Sequence, residues 1–247
     1  FIDGVITVFM ILFGVNFNLF YFIVAGHAMR ALRSEELRWY LGIIAVSIAL
    51  ITANISHMYG SVLHALRYAA FQVASIITTT GYATADFNAW PVFSQMILVL
   101  LMFLGASAGS TGGGLKTARV IVLLKTGWRE LRHMFQPRSQ VAVRLEGKNV
   151  NADTANSIQV FFFVYMLVYA GSVLLLSLDG FDFVTTSTAV AACLNNIGPG
   201  LGAVGPTGNF AGFSDLGKCL LSFNMLAGRL EIFPMLMLFV PAVWRNR

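Results

Sequence analysis

Two apolar stretches of this chain are too short to cross a bilayer, and each runs into a polar elbow that ends in glycine. Residues 72–81 read QVASIITTTG and residues 189–198 read AVAACLNNIG. A helix needs about 20 residues to cross a ~30 Å hydrocarbon core. Lipid offers no partners to backbone N–H and C=O groups, so non-helical backbone at membrane depth persists only where protein buries it or water reaches it. A Thr-Thr-Thr-Gly or Asn-Asn-Ile-Gly elbow between apolar segments is therefore read as a re-entrant loop, and its repetition points to ion passage.

The surrounding composition is that of a membrane protein. Hydrophobic residues make up 57% of the 247 and charged residues 11%, less than half the charge of an average soluble domain, which is about 25%. The formal net charge of +5 invites a nucleic-acid reading, but the positions of the charges exclude it. Of the sixteen Lys and Arg, only Arg67, Lys218 and Arg229 lie outside the stretches 30–38, 116–148 and 245–247. That clustering is the positive-inside pattern of a multi-pass protein in a lipid bilayer. Two cysteines, Cys193 and Cys219, make no disulfide framework, four scattered histidines make no metal cluster, and no cofactor is expected.

Hydropathy divides the chain into a repeated order. Residues 5–25 form an apolar run broken by Gly14, Val15 and Asn16, and exit into the basic 30–38 stretch. Residues 39–55 cross outward, 57–67 form an external connection, and 68–77 dip back as a half-helix. Residues 92–104 and 115–133 read as one inner helix interrupted by GASAGSTGGG at 105–114. The order recurs with an outer span at 157–178, a short segment at 183–194, a Gly/Pro-rich external loop at 199–215 and an inner span at 216–244. The expected units are thus 1–29, the inner helix of a preceding repeat; 30–133, a full repeat; 134–156, a cytoplasmic linker; and 157–247, a second full repeat. The chain reads as the later part of a longer polypeptide.

Cation passage needs oxygens that replace a hydration shell, and backbone carbonyls supply them without net charge. The candidates are Thr79, Thr80 and Gly81 in the first elbow and Asn195, Asn196, Ile197 and Gly198 in the second. Gly109, Ser110, Thr111, Gly112 and Gly113 form a flexible candidate gate, because small residues can collapse across a pore or retract from it. Arg229 lies within a hydrophobic run, where a charge costs at least ~2.5 kcal/mol and faces a cavity or a partner. It is either a barrier to cations or a structural partner of Glu231 or of the 105–114 carbonyls. Two enzyme motifs also fall in this stretch. GSTGGGLKT departs from a phosphate-binding loop because Leu115 precedes Lys116, and GASAG places Ser107 in a nucleophile pattern without a convincing base at depth. The chain is therefore read as a non-enzyme. A cation-coupled secondary transporter built of broken helices is the alternative function.

The stretches TTTGYATADF (78–87), GSTGGGLKT (109–117), NNIGPGLGAVGPTGNF (195–210) and GRLEIFPML (228–236) resemble the Trk/Ktr/HKT superfamily of potassium transporters, closest to the membrane subunit of the bacterial Trk system. The resemblance implies an all-α membrane fold of M1-pore helix-M2 repeats around a K+ channel-like pore, with re-entrant loops and broken inner helices. It also implies K+ held by the carbonyls named above, a gating loop facing Arg229, and location in the bacterial inner membrane. A homodimer and a cytoplasmic nucleotide-binding regulatory subunit are the implied partners, with the basic 116–148 region as docking surface. Four repeats make the family's ring, whereas two filter strands are visible here, and the first-repeat residue that sets K+ against Na+ preference is not among them.

Overall fold

The structure is a computed structural model that describes residues 1–136, 142–230 and 232–237. Its helices follow the hydropathy pattern, and its breaks follow glycine and asparagine. α1 (Ile2–Phe13) and α2 (Phe17–Val24) meet at 94°. Asn16 is extended there, and its side chain accepts the Asn18 N–H at 2.9 Å to start α2. A side chain at Gly14 would lie 2.1 Å from the Tyr40 hydroxyl, so glycine lets the outer span approach the bend. The expected break within residues 5–25 is present.

After α3 (Ala28–Leu32), α4 (Glu35–Ile55) starts from Ser34, whose hydroxyl accepts the Leu37 N–H at 3.3 Å. Glu35 and Glu36 in its first turn complement the positive end of the helix dipole. α5 (Val62–Ile77) is the first short segment, α6 (Val92–Phe103) and α7 (Thr117–Phe135) flank the glycine-rich interruption, and α8 (Ala152–Leu176) is the second outer span. Between α7 and α8 stands a two-stranded antiparallel hairpin, β1 (Arg144–Leu145) and β2 (Lys148–Asn149). α9 (Phe183–Leu194), α10 (Asp215–Arg229) and α11 (Ile232–Met237) are the last described helices.

Among the described residues α4 and the helical run from Ala152 to Asp179 are each long and apolar enough to cross a membrane, with α1 and α2 a third if taken as one bent span. Burial sorts the helices by role. The long helix α8 turns Phe163, Leu167, Leu174 and Leu175 outward, as a lipid-facing surface requires. The short helices lie inside: in α5 every residue from Phe71 to Ile77 is buried, and in α9 the buried set runs through Val190, Ala191, Ala192, Cys193 and Leu194. α5 packs on α1, α4 and α6, while α9 packs on α8 and α10. Small Ala, Ser and Thr side chains let the longer helices close around these half-helices.

Three boundaries differ from the sequence reading. The external connection is shorter than 57–67, because α5 begins at Val62. The linker 134–156 contains the hairpin and the first turn of α8, whose Asp153 favours a helix start. Gly228 lies inside α10, which ends at Arg229. A Cβ on Gly228 would fall 1.8 Å from the Leu194 carbonyl oxygen, so glycine serves close approach to the second elbow and the break follows it. The continuation of the last span to 244, Glu231 as a partner of Arg229, and the basic Arg138, Arg245 and Arg247 lie outside the described residues.

Candidate ion-conduction site

The two elbows have matching backbones. Each half-helix ends on a residue near the bridge region, Thr78 at φ −88°, ψ 0° and Asn195 at φ −96°, ψ 1°. The next residue is left-handed although it is not glycine, Thr79 at φ 56° and Asn196 at φ 57°. Two residues on comes a left-handed glycine, Gly81 at φ 77° and Gly198 at φ 109°. A β-branched residue in this region is a backbone outlier, and such strain persists only where the surroundings over-determine it.

That path turns the amides back toward their own helix. Thr79 N–H donates to Ile76 at 3.1 Å, Thr80 N–H to Ser75 at 2.9 Å, Asn196 N–H to Cys193 at 3.1 Å and Ile197 N–H to Ala192 at 2.8 Å. Among the described residues the carbonyls of Thr79, Thr80, Gly81, Asn195, Asn196, Ile197 and Gly198 accept no hydrogen bond. Both half-helices also aim their negative C-terminal ends at these oxygens. The strands lie against each other, since a Cβ on Gly81 would sit 2.0 Å from the Ile197 carbonyl oxygen. The structure thus brings Gly81 of the first elbow against Ile197 of the second.

Side chains hold the elbows from behind. The Ser75 hydroxyl donates to the Tyr82 carbonyl at 2.6 Å, and the Thr78 and Thr80 hydroxyls share a 2.9 Å bond. Gln72, fully buried, accepts the Thr84 and Ala85 N–H groups at 2.9 and 3.2 Å when its oxygen faces them. In the second elbow Tyr165 donates to Asn195 Oδ1 at 2.9 Å, and Asn195 Nδ2 donates to the Ala191 carbonyl at 2.8 Å. Asn196 Nδ2 reaches the Met225 carbonyl on α10 at 3.1 Å. A clasp joins the two return loops: Asn88 Nδ2 donates to the Gly202 carbonyl at 3.1 Å and Gly202 N–H donates to Asn88 Oδ1 at 3.0 Å. At the start of α9, the Thr185 hydroxyl and then its N–H bind the exposed Asp182 carboxylate and hold it below the usual carboxylate range.

The 105–116 loop is a closed turn of chain pressed on both elbows. Its ends are stitched by Gly105 N–H to the Leu115 carbonyl at 2.6 Å and Thr117 N–H to the Ala106 carbonyl at 3.1 Å. Gly113 N–H donates to Thr79 Oγ1 at 2.9 Å. A Cβ on Gly113 would lie 2.5 Å from the Asn195 carbonyl oxygen, and one on Gly112 would lie 3.4 Å from that of Thr78. Ser107 N–H reaches the Gly14 carbonyl at 3.0 Å, and Phe17 N–H reaches the Gly109 carbonyl at 3.3 Å, so the α1–α2 bend also holds the loop.

Arg229 meets the loop at Thr111. Its guanidinium donates to the Thr111 carbonyl at 3.1 Å, one of the two arrangements the sequence left open. Ser110, Thr111, Gly112, Gly113 and Arg229 line a cavity of about 200 Å³ together with Lys116, Arg119 and Tyr165. No group of three His, Cys, Asp or Glu able to hold a metal occurs among the described residues. Sequence reasoning missed Tyr165, Asn88 and Glu36, which donates no apolar pattern but accepts the Ala108 N–H at 2.6 Å.

Buried half-helices, strained elbows and a broken inner helix define a helical membrane protein with re-entrant segments. The match to known proteins is specific: the TrkH cation transport protein family matches residues 1–246, and the chain belongs to that family. The Trk system potassium uptake protein TrkH of Salmonella typhimurium is 36% identical over 99% of this chain and 51% of its own length. TrkG of Escherichia coli K12, another Trk system potassium uptake protein, is 35% identical over 96% of this chain and 49% of its own. The crystal structure of the potassium transporter TrkH from Vibrio parahaemolyticus superposes with a TM-score of 0.91 at 35% identity, covering 99% of this chain and 53% of that one. The chain spans about half the length of the curated relatives it matches.

Proposed function

We propose that this chain forms part of a potassium uptake pathway across the bacterial inner membrane, with K+ coordinated by carbonyls of Thr79, Thr80, Gly81, Asn195, Asn196, Ile197 and Gly198. The observation that carries this reading is the matched, strained backbone of two adjacent elbows whose carbonyls accept no hydrogen bond among the described residues. Carbonyl oxygens held in that way replace ion hydration without adding charge. The units 30–133 and 157–247 each contribute one elbow, residues 1–29 contribute an inner helix, and 134–156 link the units on the cytoplasmic side.

Gly109, Ser110, Thr111, Gly112 and Gly113 form the gate below the elbows, and Arg229 sets its charge. A guanidinium bonded to the Thr111 carbonyl holds the loop across the path and raises the electrostatic barrier there. The resemblance carries with it a homodimer and a cytoplasmic nucleotide-binding regulatory partner, for which the basic stretch from Lys116 to Lys148 is the docking surface. Residues 137–141 of that stretch lie outside the described residues.

The test is rubidium uptake by the full-length protein in cells lacking their own potassium uptake. Arg229→Ala raises uptake about tenfold, the effect of removing one charge-assisted hydrogen bond from the closed state. Unchanged or lower uptake by protein that reaches the membrane at wild-type level contradicts the gate.

A further inference from the structure

Two ionisable side chains hold the loop at two separate points, and only Arg229 stands out in the sequence. Arg229 takes the Thr111 carbonyl, while Glu36 takes the Ala108 N–H at 2.6 Å. Glu36 is only 7% exposed, although it stands in the first turn of α4, and the Asn16 carboxamide of the α1–α2 bend lies against the same carboxylate. A buried carboxylate is costly unless hydrogen bonds satisfy it, and a bond from backbone N–H to an ionised acceptor is stronger than a neutral one.

The first turn of α4 is in turn fastened to the β1–β2 hairpin. Glu146 Oε1 accepts the Glu36 N–H at 3.0 Å and the Ser34 hydroxyl at 2.8 Å. Glu146 and Gly147 form the hairpin turn with φ of 52° and 74°, which points the carboxylate at the positive end of α4. Lys125 on α7 adds a second fastening, an ion pair to Glu35 at 2.5 Å and a bond to the Arg144 carbonyl at 2.6 Å. A continuous set of polar contacts therefore runs from hairpin to α4 to the Ala108 end of the loop.

We propose that Glu36 is a positioning residue for the intramembrane loop and that the β1–β2 hairpin is its handle on the basic face of the protein. Moving Glu146 off α4 shifts the first turn, loosens the Ala108 bond and lets the loop leave the elbows. This inference rests on the reading of the 105–114 loop as the gate. It adds a route by which an event at the basic face reaches the gate without touching Arg229.

The experiment uses full-length protein in proteoliposomes, with rubidium flux and the labelling of Thr111→Cys by a membrane-impermeant thiol reagent as two readouts. Cys219 is exposed and is replaced by Ser in the labelling background. Glu36→Ala raises flux and labelling about tenfold, and Glu36→Gln, which keeps an acceptor oxygen without the charge, raises them less, about threefold. Glu146→Ala raises both about threefold, as expected for a partly exposed contact, and adds nothing on top of Glu36→Ala. Wild-type flux and labelling in Glu36→Ala, or effects of the two substitutions that multiply, overturn the proposal. If Glu36→Ala fails to fold, Glu146→Ala on the hairpin decides, and wild-type values in both readouts then overturn it. Arg229→Ala separates the two readings: if it raises flux while Glu36→Ala does not, only the positioning role falls, and if neither does, the gate falls as well.

Discussion

The elbow after α5 and the elbow after α9 have the same backbone and different supports. Hydroxyls of Ser75, Thr78, Thr79 and Thr80 surround the first, and amides of Asn195 and Asn196 with the Tyr165 phenol support the second. Their glycines differ as well. Gly81 is left-handed and crowded, with the Ile197 carbonyl 2.0 Å from the site of a Cβ, whereas Gly198 is left-handed with no such neighbour within 4 Å. The comparison separates what the conformation demands from what the local packing demands. Left-handed φ is common to both elbows, while each set of side chains is tied to different neighbours.

The largest effect that tests this difference is at the glycines. Gly81→Ala combines left-handed strain with a clash against backbone and should cost more than about 3 kcal/mol, with loss of K+ over Na+ selectivity in ion-flux assays. Gly198→Ala carries the strain alone, about 1–2 kcal/mol, and should leave a folded protein with a smaller loss of selectivity. Equal effects would break the distinction. Next in size, Tyr165→Phe leaves buried Asn195 Oδ1 without its donor and should lower stability by about 1–2 kcal/mol in thermal melts. Ser75→Ala, which removes the bond to the Tyr82 carbonyl, should cost about 1 kcal/mol and leave the second elbow unaffected.

The smallest expected effect concerns the helix starts. Asp182 caps α9 with its side chain, whereas Ser61 at the start of α5 makes no such bond. Asp182→Ala should cost about 0.5 kcal/mol at neutral pH, the low end for a cap because the group is exposed. Asp182 titrates in the folded protein below its ordinary value, so its contribution is complete above pH ~3.9 and is lost as pH falls through the lower folded value. Melts of wild type and Asp182→Ala should therefore differ at pH 7 and converge in strong acid.

Much of this architecture was legible because membranes make backbone geometry visible in hydropathy. The half-helix at 183–194 coincides with α9, and the breaks at Gly14 and after Leu104 fall where glycine and polar residues interrupt apolar runs. Hydropathy marks where a chain enters lipid rather than where a helix begins, which is why the starts of α5 and α8 were missed. The hairpin was missed too, although Glu146-Gly147 resembles the residue pairs of a tight turn. Contacts such as Glu36 to Ala108 and Asn88 to Gly202 join distant segments through single polar side chains, and no periodicity announces them.

The two elbows matter together only if one ion touches both. The most direct measurement is anomalous diffraction from crystals of the full-length protein grown with thallium or rubidium in place of potassium. Ion density is expected between the carbonyls of Thr79, Thr80 and Gly81 and those of Asn195, Asn196 and Ile197, weakened in Gly81→Ser. Ion density that lies away from both elbows, or that Gly81→Ser leaves unchanged, would contradict it.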